Sequence, residues 1–597
     1  MIGTFGRRAV ATIGAAVVWT SAIPSALAGA REAGHGADLL GPETLAYVEL
    51  SRPGVLLDRL TGDRAMGLIE AVPGYAEALE SSRFGEFRRL VEFVSGQLDT
   101  TWDEGLRALS GGGIVLGVEE ANPPRLVLVV TPEDPGFLDR AHAKLVELAR
   151  RDAEEKGAPD PIGESEYRGL TAYRVSDEEA HVILDGRLVL ANGLDGLKSV
   201  VDRHLDGGDR LSDSDAFEGR RPEDTPLAWA YARLDRLREL DPDRFRADEP
   251  DDGAMLLIGA WIEHIQTAPW ASAWLDWDED RLAAALTVAT PEDGRSEVMA
   301  RFLPAEGDGA PAPIEFEGRL ATINLWRDQY TLWHVREDLL PPEALQGLAQ
   351  LDSLAGTFFG GRDFGDSVLE PLGSHWQLVA AMQDFGSMDP EPSLKLPSFA
   401  MVVELDADRP EFAQRLRVAF QSFLGLANLG GAETGAPPLM LGSETHEGIP
   451  ISLATFMAAP EAPGEGDEEG GEDPAEVHYR NNFSPSVAEV EGRFIVSSSV
   501  GLTRSLIDAL KADPGPDPTD ATLLMTADGP ALAGLVELNR ERLVLRNMLE
   551  RGNDRDAAER EVATLAALLR TLGLGELRLE DGEDASTLVL EFDLGRP

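Results

Sequence analysis

The sequence predicts an α+β fold of two homologous halves, each with a mainly antiparallel sheet built from strand–helix–hairpin units and packed by helices. Three observations carry that expectation. Short sequence patterns recur in the same order at a near-constant spacing. The strand-like runs are joined by tight turns, which only antiparallel neighbours can use. Apolar residues between those runs recur at the spacing of helices that cover a sheet.

The recurrence is the strongest of the three. Thr44-Leu45-Ala46-Tyr47-Val48-Glu49-Leu50-Ser51-Arg52 aligns with Arg319-Leu320-Ala321-Thr322-Ile323-Asn324-Leu325-Trp326-Arg327 at an offset of 275. The same offset pairs Val127 with Val402, Pro135 with Pro410, Phe137 with Phe412 and Arg140 with Arg415. Gly163 and Gly169 match Gly442 and Gly448 at 279, and Asp185-Gly186-Arg187-Leu188-Val189 matches Glu491-Gly492-Arg493-Phe494-Ile495 at 306. An insertion at 458–486 explains the last jump. The expected organisation is a signal peptide at 1–28, a first repeat at 38–305, a linker at 306–313 and a second repeat at 314–597.

Within the first repeat, Leu45 to Leu50 reads as a strand leading into helical stretches through about Leu109. A hairpin follows, Gly113 to Val118 and Leu126 to Val130, turning at Asn122-Pro123-Pro124. Asp134-Pro135 is an N-cap and first-turn pair. It opens a helix with Leu138, Ala141, Leu145 and Leu148 on one face, a stripe the second copy keeps as Phe412, Leu416, Ala419 and Phe423. Asp185-Gly186 is a type I′ turn signal. After a helix from about Leu194, a strand at Leu227 to Leu234 begins a second run, which ends in Ser272 to Asp276 pairing with Leu282 to Val288. The Gly/Ala/Pro-rich segment from Glu306 to Pro313 has the composition of a linker.

The opening pattern Leu45-Ala46-Tyr47-Val48-Glu49-Leu50-Ser51-Arg52-Pro53, the run Gly111-Gly112-Gly113 before a strand and the hairpin Asp185-Gly186 resemble secreted bacterial proteins grouped as domain of unknown function 3352. The resemblance covers most of the chain after its N-terminal segment. It implies export and a repeated architecture, and it transfers no catalytic, cofactor or site residue.

The N-terminus predicts export directly. Arg7 and Arg8 precede an apolar run from Ala9 to Trp19, and Ser25-Ala26-Leu27-Ala28 ends in the small-x-small pattern of a cleavage site before Gly29. The run is too short for a bilayer span, which needs ~20 residues. The expected location is therefore periplasmic or extracellular; a retained N-terminal anchor is the alternative. No later segment reads as a transmembrane helix.

Composition and motifs mostly exclude. A formal charge of −53 argues against nucleic-acid binding, which clustered Lys and Arg drive. Without cysteine there is no disulfide, thiolate metal site or cysteine nucleophile. No P-loop, His-Glu-x-x-His or Gly-x-Ser-x-Gly motif occurs, and no two histidines stand at i, i+4. His375 and His446 read as surface or core-edge residues. Asp276, Asp278 and Asp280 begin like a calcium loop, but Arg281 and Thr287 replace the required Gly and Glu, so a solvated β-turn is expected. No cofactor and no metal site is expected. The acidic segment Glu461 to Glu476 inside the insertion lacks apolar residues to bury and reads as a disordered loop.

The candidate ligand contacts are Trp261, Trp270, Trp274 and Trp277, whose ring faces would suit a glycan; core packing is the competing role. The expected function is an exported, soluble, non-catalytic binding or interaction module of the cell envelope. Its partner would be an apolar or glycan ligand or an envelope protein. An envelope-associated scaffold and a carboxylate-dependent hydrolase are the alternatives.

Overall fold

The computed structural model describes residues 36–62, 66, 82–121, 123–176, 179–242, 261, 264–291, 294–295, 300–339, 342–359, 363–434, 437–456, 479–513 and 518–594. The expected signal peptide and the acidic segment lie outside the described residues. Helices combine with antiparallel sheet throughout, an α+β fold. The chain divides into two compact units, Met1–Phe245 with Ala268–Ala289, and Arg246–Thr267 with Thr290–Pro597.

The first unit contains β1 (Thr44–Leu50), β2 (Gly113–Glu119), β3 (Arg125–Thr131), β4 (Gly163–Tyr167) and β5 (Leu170–Arg174). It continues with β6 (Ala180–Leu184), β7 (Arg187–Ala191), β8 (Ala228–Ala232), β9 (Ala271–Trp277) and β10 (Arg281–Ala289). All pair antiparallel, in the order β4-β5-β6-β7-β3-β2-β1-β8-β9-β10. Helices α1 (Pro135–Glu155) and α2 (Leu194–Asp206) belong to the same unit.

Local chemistry explains most of these elements. Asp185 and Gly186 both take positive φ, 48° and 74°, as the expected type I′ turn requires, and Arg168-Gly169 does the same at 51° and 87°. β2, β6 and β7 bury alternate residues, the period of a sheet with one face on a core. That core packs Val127, Val129 and Val189 against Leu197, Val200 and Val201 of α2. Tyr47, Phe217 and Trp229 complete it, with ring centroids 5.0–5.3 Å apart.

The second unit contains β11 (Arg319–Trp326), β12 (Leu372–Ala381), β13 (Ser398–Leu405), β14 (Leu439–His446) and β15 (Ile449–Phe456). It continues with β16 (Ser486–Val490), β17 (Arg493–Ser497), β18 (Ala521–Asp528), β19 (Leu574–Asp581) and β20 (Ala585–Asp593). Their order is β14-β15-β16-β17-β13-β12-β11-β18-β19-β20, the order of the first unit when each is counted from its own first strand. Helices α3 (Phe412–Thr434) and α4 (Val500–Ala512) stand where α1 and α2 stand in that succession.

Three local expectations are corrected. Residues 309–311 are not a free linker: Gly309 and Ala310 donate backbone hydrogen bonds to Thr519 and Ala521, and Ala310 is fully buried. A Cβ on Gly309 would lie 2.3 Å from the Thr519 carbonyl oxygen, so this glycine serves close backbone approach rather than flexibility. Asp134 occupies the N-cap of α1 but makes no capping hydrogen bond; its carboxylate pairs with Arg140 at 3.4 Å. The insertion at 458–486, expected to be disordered, is ordered at its end, where Arg480–Asn482 form a 3-10 turn and Ser486 begins β16.

Candidate functional site

Among the described residues, each unit has a cavity with both charged and apolar or aromatic side chains in its lining. In the first, β4, β5 and β6 face α2 across a space of about 330 Å³. The strand period points Leu170, Ala172 and Val182 inward, and the helical spacing of Leu194, Leu197 and Val201 supplies the opposite wall. Tyr167, Leu170 and Leu194 pack on the core yet stay partly open, which is how a cavity meets a core. The rim is polar, with Ser165, Glu166 and Lys198.

The mouth is held by a staple between the β4–β5 turn and α2. The Tyr167 hydroxyl donates to Asp202 at 2.9 Å, and Arg168 bonds both Asp202 and Asp206. Arg168, and then Tyr167, hold the Asp202 carboxyl below the usual range, while the bond to Asp202 raises the Tyr167 phenol. The Lys198 ammonium lies 5.7 Å from the Tyr167 ring centre, and its ion pair is with the exposed Asp195 at 3.8 Å.

The same topological place in the second unit, between β14–β15 and α4, is built differently. His446 bonds Asp508 at 2.6 Å, taking the part of Tyr167 and Asp202. Arg504 stands where Lys198 stands, and Glu444 where Ser165 stands. These two form a two-bond ion pair, each contact 2.7 Å, that holds Glu444 ionised and bridges strand to helix. Such bidentate pairs are rigid and directional. The first unit, with serine and lysine there, has no such bridge.

The second cavity, about 790 Å³, lies among Tyr330, Asp366, Ser367, Glu370, Arg409 and Arg415. A π-helical turn at Gly365–Leu369, a distortion often found at functional sites, places Ser367. Its hydroxyl is buried, with the residue 6% exposed, and has no hydrogen-bond partner among the described residues. Arg409 bonds both Glu370 oxygens, at 2.7 and 2.9 Å, and keeps that carboxyl below its ordinary pKa.

The tryptophan candidates line neither cavity. Trp270 and Trp274 pack on the first core; Trp274 lies opposite Trp229 in the β8–β9 register, and Arg220 sits 4.4 Å over Trp270. Trp277 pairs with Leu282 across the β9–β10 hairpin. Trp261 packs with Phe302, Leu303 and Leu332 in the second unit. Asp276 stands on β9 and pairs with Arg52, while Asp278 and Arg281 close the turn by a backbone hydrogen bond of 2.7 Å. His375 is clamped by Glu404 at 2.6 Å, a bond that raises its pKa. Among the described residues no group of three or more His, Asp or Glu is placed to hold a metal ion, and no helix is long and apolar enough to cross a membrane.

The cavity residues were missed because each is an ordinary core or surface residue alone. One signal was available: Lys198, among only five lysines, follows Leu194 and Leu197 on the apolar stripe of its helix.

No family model matches the chain, and no curated protein matches it. Crystal structures of TP0453 in forms III and IV are similar to part of it, with TM-scores of 0.25 and 0.24 and identities of 11% and 12%. They cover 45% and 47% of this chain and 85% and 87% of their own. Likeness at that level carries no argument about fold or function.

Proposed function

We propose that this chain is an exported, non-catalytic binding protein of the cell envelope whose first unit takes a small apolar molecule with an anionic head. The observation that carries the reading is the open mouth of the first cavity. Apolar walls enclose a volume at the lower end of small-molecule sites. Lys198 stands at the rim where the second unit has the Arg504–Glu444 bridge. An anion there would gain a charged hydrogen bond while its apolar part leaves water.

We also read the chain as a tandem duplication, and as related to the domain of unknown function 3352 proteins on the motifs quoted above. The common strand order supports the duplication. So do side chains at matching positions: Glu49 and Asn324 are both buried on the central strand of their sheets. Arg52 pairs with Asp276 on β9, and Arg327 is drawn electrostatically toward Asp581 on β19. The hydrolase alternative gains nothing from the polar cavity. A general acid needs a raised pKa, whereas Arg409 lowers that of Glu370.

Native mass spectrometry of protein purified without detergent from its own envelope tests the function. A stoichiometric extra mass lost on denaturation is expected, and so is binding of the anionic apolar probe 8-anilinonaphthalene-1-sulfonate. Ala172→Phe, which fills the cavity, should abolish both. Lys198→Glu should weaken probe binding by about tenfold, equal to about 1.4 kcal/mol. An apo mass together with probe binding insensitive to both substitutions would leave the scaffold reading in its place.

A further inference from the structure

We propose that the larger cavity, in the second unit, is a site for an aliphatic amine, whose primary ammonium is held by Asp363, Asp366 and the Ser367 hydroxyl. The lining sets four carboxylates, of Asp363, Asp366, Glu370 and Glu411, against two guanidiniums, of Arg409 and Arg415. The guanidiniums are already engaged. Arg409 holds Glu370 and stands 3.4 Å from Asp406, and Arg415 stands 3.6 Å from Glu411. Asp363 and Asp366 have no Lys or Arg partner among the described residues. The Tyr330 hydroxyl donates to Asp366 at 3.3 Å, and His334 Nε2 is 3.7 Å from the same carboxylate. One side of the cavity therefore presents two carboxylates without a fixed cation.

Two acidic side chains at a surface would be ordinary, but the group beside them is not. Ser367 lines the same cavity with its hydroxyl buried and without a partner among the described residues. A serine within a helix ordinarily returns its hydroxyl to the carbonyl four residues back. Ser110, in the helix Trp102–Ser110 that precedes β2 of the first unit, does so, bonding the Leu106 carbonyl at 2.8 Å. Ser367 does not. Its turn is wound one residue wider, with the Glu370 N–H donating to the Gly365 carbonyl at 2.8 Å. A buried hydroxyl left unpaired costs free energy that a ligand group at this point recovers.

The ligand set selects the kind of cation. A metal ion needs several ligands that converge at short distance. Among the described residues no group of three or more His, Asp or Glu is so placed. An ammonium asks for less, because its three N–H donors each take a separate acceptor. Two carboxylates and a hydroxyl oxygen supply that set. The space, about 790 Å³, is far larger than an ammonium and admits the carbon chain that carries it. Pro371 and Phe412 give that chain an apolar wall.

Titration calorimetry of the full chain with 1,4-diaminobutane tests the site, at physiological salt so that the general negative charge is screened. One equivalent should bind. Asp366→Asn and Ser367→Ala should each weaken binding by about tenfold, the loss of one hydrogen bond to a charged group. Glu541→Gln removes the same charge from an exposed position in the helix Arg540–Arg551 and should leave the affinity unchanged. Tetramethylammonium, a cation with no hydrogen-bond donor, should not compete. No binding of the diamine overturns the proposal, and so does binding insensitive to both Asp366→Asn and Ser367→Ala. Equal weakening by Glu541→Gln, or equal affinity for tetramethylammonium, also overturns it, by reducing the effect to diffuse attraction toward a chain of charge −53. Magnesium binding that Asp366→Asn abolishes overturns it as well, and assigns the carboxylates to a metal ion.

Discussion

Lowering the pH should destabilise the first unit through two histidines, and the size of the effect follows from their packing. His142 on α1 and His181 on β6 meet with Nε2 atoms 2.9 Å apart. Tyr173 of β5 stacks on His181, with ring centres 5.2 Å apart, and meets His142 edge-on at 4.5 Å. One nitrogen must donate and the other accept, so the accepting ring is neutral, and burial disfavours charge on the donating ring as well. Burial, and then the neighbouring His142, push the His181 pKa down from 6.5 to about 4. Burial also lowers that of His142, opposed by Asp139 and Glu164. A folded pKa below the unfolded one means that the neutral pair contributes its full stability above about pH 6.5. That contribution is lost as the pH falls toward 4. Between pH 7.5 and 5 the loss from His181 alone is about 2 kcal/mol. His181→Phe keeps a ring against Tyr173 and removes the titration. The assay is urea unfolding of wild type and variant across this range, compared as a difference so that the many carboxylates cancel. The wild type should lose about 2 kcal/mol relative to the variant as pH drops to 5, with faster amide exchange in β5 and β6. A pH-independent difference would refute the reasoning, because it would mean that the pair is not held neutral by the fold.

Further predictions concern the buried polar groups and the cavities. Arg221 bonds both oxygens of the buried Glu49, so Arg221→Met should cost about 3–5 kcal/mol in urea unfolding and adding Glu49→Gln should recover most of it; equal instability of single and double variants would contradict this. Asn324 accepts from Gln377 and donates to Thr322 and to the Leu524 carbonyl, so Asn324→Leu should cost about 1–3 kcal/mol, read by calorimetry of the second unit's transition. Glu444→Ser with Arg504→Lys copies the first unit's mouth into the second and should raise the stoichiometry of 8-anilinonaphthalene-1-sulfonate from one to two, measured by titration calorimetry; an unchanged stoichiometry would show that the bridge is not what closes the second site.

Strand and turn positions were legible in the chain because their causes are local. Asp185-Gly186 and Glu491-Gly492 adopt the left-handed pair that a two-residue hairpin demands, and both hairpins stand where expected. The paired runs Gly113–Glu119 with Arg125–Thr131, and Ala271–Trp277 with Arg281–Ala289, follow from alternation and turn residues in the same way. Where a glycine serves a distant contact, composition misleads: Gly309 reads as linker and is instead pressed against Thr519, some two hundred residues away. The sites belong wholly to tertiary structure. Beyond the place of Lys198 on an apolar stripe, Leu170 and Leu194 carry no mark of a cavity until a hairpin and a helix are set face to face. At the corresponding positions of the second unit Glu444 and Arg504 form an ion pair across strand and helix. The tryptophans illustrate the converse, since a large apolar ring satisfies a core and a binding surface equally well, and only the register opposite Trp229 decides that Trp274 packs. Local propensity thus determined which elements form, whereas the contacts between distant elements decided which of their faces remain for a partner.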